Sequence, residues 1–211
     1  MKERGMVREF LAHLFPRVVR RKDLRLTYTF CLGGLAFTAF MVLVVTGLLV
    51  LFYYQPTPEG AFRSIVFLEE KVPGGRYLRS LHRLSSHVLM VLMFLHTLRV
   101  MLTGAFRPPR QMNWLIGFGL LGLALFEGYT GYLLPMDQLA LWATQTGMEL
   151  FGALPGGFLV REFLVPDEVG GPLSLLRFYA LHIAILPVSM LALCFLHFYR
   201  VRRDKGVLPY L

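Results

Sequence analysis

Four of the six histidines are spaced in a way that could do chemistry. His82 and His96 are fourteen residues apart, and His182 and His197 are fifteen apart. On an α-helix, fourteen residues rise about 21 Å and end about 40° short of four turns; fifteen rise about 22.5 Å and overshoot by about 60°. Each pair therefore marks one helix face with an imidazole near either end. If the two helices run in the same direction, His82 lies level with His182 and His96 with His197, and imidazoles facing each other across a bundle core are axial ligands for haem iron. Zinc is the competing metal, but it takes three or four ligands where each level offers two, with no Cys, Asp or Glu nearby to complete the shell. The plainer alternative is a set of polar residues packed in the bundle interior. His87 falls about 140° around the helix from His82, off the shared face, and reads as an interfacial or interhelical polar contact. His13 belongs to the basic N-terminal segment.

The elements that must carry these residues are membrane spans. The 211 residues are 55% apolar and 17% charged, with a mean hydropathy of +0.56, whereas a soluble domain is about 45–50% apolar and about 25% charged. Residues 26–54 contain no charge, and a bilayer-crossing helix needs only about 20 apolar positions. Three further apolar runs follow. We place span A at 27–54, span B at 79–103, span C at 113–134 and span D at 173–200, an all-α, four-helix membrane domain over residues 27–211. The net charge of +9 does not imply a nucleic-acid partner, because the basic residues sit between apolar blocks. Lys and Arg crowd the N-terminus, the B–C loop (Arg107, Arg110) and the C-terminal tail, while Glu59, Glu69, Glu70, Glu149, Glu162, Asp167 and Glu168 populate the other side. Both termini are thus expected to be cytoplasmic. The first 25 residues hold eight basic side chains and no apolar h-region, so no cleavable signal peptide is expected. Residues 1–26, with Phe10, Leu11, Leu14, Phe15, Val18 and Val19 at helical spacing, suit an amphipathic segment on the anionic leaflet. The loop at 135–172 is long and rich in Gly and Pro, which points to a functional loop.

The remaining spans supply supporting residues. Gly33 and Gly47 on span A, and Gly117 and Gly131 on span C, repeat the fourteen-residue period of His82 and His96. Such small residues let backbones approach closely enough to admit a flat cofactor. Arg79, Arg83, Arg99 and Arg202 lie within one or two turns of a histidine at a membrane surface, as partners for haem propionates or for lipid phosphates. Glu127 is the acid inside span C, and is expected either to face the cavity at that level and carry protons or to be hydrogen-bonded between helices.

The histidine pairs, the string Arg-Ser-Leu-His-Arg-Leu-Ser (79–85) and the string Gly-Tyr-Leu-Leu-Pro-Met-Asp-Gln (131–138) together resemble the cytochrome b6 family, the short cytochromes b of Rieske/cytochrome b quinol oxidoreductases. The likeness covers nearly the whole chain. The fifteen-residue second pair, a chain that ends after span D, and Cys31 at the head of Cys-Leu-Gly-Gly favour that short branch. The resemblance implies two haem b groups, an outer one on His82 and His182 and an inner one on His96 and His197. It further implies a c-type haem bound to Cys31 by one thioether, close to the inner haem at the cytoplasmic start of span A. Quinol would be oxidised at the outer surface in a pocket lined partly by residues 131–142, with Glu127 and Asp137 as its proton groups. One electron would leave through a Rieske iron–sulfur protein towards a c-type cytochrome or similar acceptor, and the other would cross to a quinone-reducing site. Implied partners are subunit IV and a second copy of the complex, in a bacterial plasma or thylakoid-type membrane. Two departures, Met136 and Leu84 where the family usually has Trp, touch the outer pocket. The rival reading is a haem-b membrane anchor for a peripheral dehydrogenase or hydrogenase. Cys194 reads as a small buried apolar residue.

Overall fold

The structure is a computed structural model that describes residues 30–204. The amphipathic segment expected at 1–26, the first residues of span A and the tail from 205 lie outside the described residues. Within them the chain is helical: α1 (Leu32–Leu51), α2 (Pro58–Lys71), α3 (Gly75–Leu102), α4 (Gln111–Leu133), α5 (Gln138–Gly152), α6 (Gly157–Leu164), α7 (Pro172–Ala180), a π-helical turn (Leu181–Ile185) and α8 (Leu186–Arg203). Helices α1, α3 and α4, and the continuous segment Pro172–Arg203, are long and apolar enough to cross a membrane. The protein is an integral membrane protein.

Spans A to D are these four segments, with shifted ends. Helix α3 starts at Gly75, four residues before the expected start of span B, because Arg76 and Arg79 can remain helical beyond the apolar layer. The loops contain more structure than expected. In the A–B connection the Thr57 hydroxyl accepts the Gly60 N–H at 3.0 Å and Pro58 opens α2, the usual N-terminal chemistry of a helix. In the C–D connection the Asp137 carboxylate accepts the Ala140 N–H at 2.8 Å and starts α5. Asp167 accepts the N–H of Leu173 at 2.9 Å, the N–H of Ser174 at 3.1 Å and the Ser174 hydroxyl, and so caps α7. Against the desolvation that raises it, these bonds hold its carboxyl below the usual carboxylate range.

The crossing helices associate mainly in two pairs, α1 on α3 and α4 on α8, while α3 and the segment of π-turn and α8, which bear the paired histidines, have little direct packing on each other. Ala36, Ala39, Phe40, Leu89, Leu120, Ala124 and Met190 form the core at mid-membrane. A second cluster, Leu133, Met148, Leu164 and Phe178, fastens α5 and α6 to α4 and α7. The Tyr54 hydroxyl donates to the Leu134 carbonyl at 2.7 Å, and its ring stacks on Tyr179 at 5.5 Å. We call this end, with α2, α5 and α6, the loop side, and the end holding Cys31, His96 and His197 the terminal side.

Candidate functional site

The gap between the two helix pairs is where the four imidazoles meet. His82 and His182 have ring centroids 6.3 Å apart with planes at 79°, on the loop side. His96 and His197 have centroids 6.5 Å apart with planes at 77°, on the terminal side. The near-identity of the two levels is unexpected from a spacing of fourteen on one helix and fifteen on the other, and the π-turn explains it. Leu186 N–H donates to the Leu181 carbonyl, five residues back, and Pro187, two residues into α8, has no N–H to give. A π-turn absorbs one residue more than an α-turn, so fifteen residues from His182 keep step with fourteen from His82.

Each imidazole is backed by one glycine of the neighbouring helix. A Cβ added at Gly33 would lie 3.1 Å from His96 Cε1, at Gly47 3.2 Å from His82 Cε1, at Gly117 3.1 Å from His197 Cε1, and at Gly131 2.4 Å from His182 Cε1. The shared fourteen-residue period thus makes room for the imidazole rings themselves, where the sequence suggested room for a cofactor plate. Gly34, by contrast, faces open space.

Hydrogen bonds define the loop-side tautomers. Thr46 Oγ1 lies 2.7 Å from the Val42 carbonyl, to which it donates, and 2.8 Å from His82 Nδ1. The hydroxyl proton is thereby committed, and Nδ1 of His82 is the donor. His182 Nδ1 lies 3.1 Å from the Glu127 carbonyl, which can only accept, so this ring also carries its proton on Nδ1. Thr130 Oγ1 lies 3.5 Å from the same nitrogen. Both rings therefore keep Nε2 unprotonated, the form in which imidazole binds a metal, with the Nδ1–H partners typical of a ligand's supporting shell.

Of the other residues singled out by sequence, Cys31, Arg99, Gly33 and Gly117 line one cavity of about 320 Å³ with His96 and His197, bounded also by Arg110, Asn113, Trp114, Met190 and Cys194. Cys31 is exposed and enters α1 with φ 50°, next to Phe30 at φ 48°, left-handed conformations uncommon for residues with a Cβ. Arg79 is ion-paired with Glu69 of α2. Arg83 and Arg202 are exposed. Glu127 Oε1 is 3.3 Å from His182 Nδ1. Asp137 is spent on capping α5. His87 is exposed, off the paired face. Met136, at φ 53°, brings its thioether against Gly170 in the turn before α5. Sequence reasoning missed Thr46 and Thr130; each directly precedes a backing glycine, a signal legible only once that glycine is known to face an imidazole.

Does this site suit a haem? A metal–imidazole bond is about 2 Å, so two imidazoles sharing one ion put their ring centroids about 6 Å apart, as both pairs do. Among the described residues no three His, Cys, Asp or Glu side chains converge as a metal-ligand group. A metal at either level has two protein donors and must bring its remaining ligands with it, as iron in a porphyrin does. The residues fit the group.

An all-helical membrane bundle that presents paired imidazoles at two depths defines a class, the membrane-embedded haem-ligating electron carriers. Comparison with known proteins makes this specific. The family model Cytochrome b/b6/petB matches residues 19–205, and the chain belongs to that family. It is 42% identical over 174 residues to cytochrome b6 of Heliobacterium mobile, covering 82% of each chain. It is 35% identical over 199 residues to the menaquinol:cytochrome c reductase cytochrome b subunit of Geobacillus thermodenitrificans, covering 93% of this chain and 89% of that one. Among solved structures it matches a chain of a hyperthermophilic respiratory Complex III with a TM-score of 0.82 and 25% identity; the match covers 98% of this chain and 55% of that one, so this chain spans about half its length. Membership implies haem b, electron transport and a place among partner subunits in a quinol oxidoreductase complex.

Proposed function

We propose that this chain is the di-haem subunit of a Rieske/cytochrome b quinol oxidoreductase, with one haem b held by His82 and His182 and a second by His96 and His197. The observation that carries this reading is the pair of facing imidazoles repeated at two depths of one bundle. When bound, the two haems supply one-electron carriers, one towards each membrane face. The chain's own residues do the rest. Thr46 and the Glu127 carbonyl hold the loop-side imidazoles in the tautomer that leaves Nε2 for the iron, and Gly33, Gly47, Gly117 and Gly131 let the ring edges seat against the neighbouring backbone. Phe40, Leu89, Leu120 and Met190 fill the layer between the levels and exclude water from it. Arg99 on the terminal side, Arg83 on the loop side and, after release from Glu69, Arg79 are the cations assigned to the propionates, with Arg202 further out.

By the positive-inside bias, the terminal side is cytoplasmic and the loop side is outer. Quinol oxidation is assigned to the loop side, beside residues 131–142, with Glu127 as its acid; Asp137, expected from the sequence to share that role, is engaged instead by the Ala140 N–H at the start of α5. The relatives named menaquinol:cytochrome c reductase support a quinol donor and a c-type cytochrome acceptor; the partners assigned to the chain are a Rieske protein on the way to that acceptor, subunit IV completing the pocket, and a second copy of the complex. Cys31, exposed on the cavity that His96 and His197 share, is assigned a covalent c-type haem.

Two experiments test these assignments. In His82→Ala or His182→Ala the purified complex should lose one haem b, the same one for both, and in His96→Ala or His197→Ala the other; optical redox titration reads which remains, and loss of the same haem from His82→Ala and His197→Ala would overturn the pairing. Haem-peroxidase staining after denaturing electrophoresis should mark this subunit and fail in Cys31→Ser; an unstained wild-type band removes the covalent haem.

A further inference from the structure

Asp204, directly after α8, is the one buried residue with a formal charge among the described residues, at 8% exposure. Its neighbours Arg202 and Arg203 are exposed. The burial follows from register. From α8 the terminal-side cavity is lined by Met190, Cys194, His197, Phe198 and Val201, and 190, 194, 197 and 201 are successive steps of four and three along one helix face. The next step in that series is 204. The Asp204 N–H donates to the Arg200 carbonyl at 2.9 Å, so the helical course reaches it, about 4.5 Å of rise beyond Val201. Asp204 thus continues the cavity's face of the helix to the terminal-side mouth. Nothing local calls for an acid there. A helix C-terminus favours cations over carboxylates, and the last turn of α8 supplies Arg200, Arg202 and Arg203. Asp204 Oδ2 is buried without a hydrogen-bond partner, and Arg200 Nη1 is 3.9 Å from it, beyond hydrogen-bond reach. A buried oxygen left unpaired works against the fold.

We propose that Asp204 delivers protons from the water on the terminal side to a quinone reduced at that cavity. The inference rests on the di-haem reading above, in which the second electron crosses the membrane to a quinone-reducing site. Reduction of a quinone to quinol takes two electrons and two protons. The electrons reach it one at a time by way of the terminal-side haem, and each proton has to pass from water into the cavity. A carboxyl group at the mouth can give its proton inward and become a carboxylate, with Arg200 as the nearby opposite charge, and then take a proton from the water outside. Each delivery leaves the group as it began. Quinol oxidation, assigned to the opposite end of the bundle, does not draw on Asp204.

The test mixes the whole purified complex, its haems b reduced beforehand, with a short-tailed menaquinone and follows haem reoxidation by stopped-flow absorbance. The terminal-side signal is identified as the one missing in His197→Ala. Asp204→Asn keeps the shape and removes the acid. It should slow reoxidation of the terminal-side haem by about 100-fold, the low end for a positioned proton-transfer group. Both midpoint potentials and the first-turnover reduction of a c-type cytochrome by quinol should stay as in the native complex. Acetic acid added to the Asp204→Asn complex should restore part of the lost rate, as it would not for a merely structural defect, and Asp204→Glu, which keeps the acid, should stay close to the native rate. A native reoxidation rate in Asp204→Asn, or a loss that acetic acid does not restore, overturns the proposal. If Asp204→Asn does not accumulate, Asp204→Ser is read by the same criteria. A native complex whose reduced haems the quinone does not oxidise would instead overturn the assignment of quinone reduction to this subunit, so the two failures are distinguishable.

Discussion

A methyl group added at Gly131 would lie 2.4 Å from His182 Cε1, against 3.1–3.2 Å for the equivalent contacts at Gly33, Gly47 and Gly117. The obstructing atom belongs to a ring held by the Glu127 carbonyl and inserted in a π-turn, so it has little freedom to yield. Overpacking a fitted site costs about 1–3 kcal/mol, and here the strain falls on an imidazole proposed to hold the loop-side haem. We expect Gly131→Ala to lose the loop-side haem, while alanine at Gly33, Gly47 or Gly117 leaves two haems bound; haem-to-protein ratios of the purified complexes check the ranking, and equal occupancy in all four variants refutes it. At this scale the sequence was informative where the physics is local. The period of a single helix marks the four histidines and four glycines. Which glycine backs which ring was not legible, because it depends on α1 packing on α3 and α4 on α8. The same pairing brings Thr46 to His82 and Glu127 to His182.

Among elements, the segment from α7 to α8 shows how a helix can carry one residue more than its partner and still bring its imidazoles level with those of α3. An insertion into a regular helix turns everything beyond it by about 100°; the π-turn at Leu181–Ile185 takes up that residue before it can turn His197 away from His96. Deletion of Ala184 should therefore convert the turn to ordinary α-helix and leave both haems bound, with the two histidines fourteen apart. Deletion of Val91, an exposed residue of α3, has no π-turn to absorb it. It should swing His96 by about 100° relative to His82 and cost one haem. Pyridine haemochrome assay would read about two haems b per chain in the first and one in the second, and equal counts would contradict this account of the spacing. The overshoot of fifteen residues is visible in the sequence, but its absorption by a π-turn is not, since Pro187 alone is equally compatible with a kink. The loop helices had local signals, Thr57-Pro58 before α2 and Asp137 before α5, which a search for long apolar runs passes over.

At the scale of the whole molecule, most of the apolar surface of the crossing helices is turned away from the chain's own core. Within the four crossing segments only 11–22% of the apolar window is buried inside the chain, and large side chains such as Val45, Leu84, Phe94, Phe118 and Val188 face outwards, towards lipid or partner subunits. The two helix pairs touch through the small mid-membrane core around Phe40, Leu89, Leu120 and Met190, and at the two histidine levels, where α3 and α8 have little direct packing, they are separated by a gap that the facing imidazoles line. A cofactor ligated by both helices is then a cross-link between the halves, and its binding free energy is available to the fold. A ligand at about 100 times its Kd stabilises the state that binds it by about 2.7 kcal/mol. For a domain of this size each kcal/mol is worth about 2–4 °C, so two haems should raise the melting temperature by about 10–20 °C. The variant His82→Ala/His96→Ala removes one ligand at each level from α3 and leaves α8 intact. We expect it to insert in the membrane and to melt about 10–20 °C below the native subunit in the same detergent, with either single variant roughly midway. Fluorescence-monitored melting measures this directly, and a double variant that melts with the native protein would show that the pairs associate without the bridging groups.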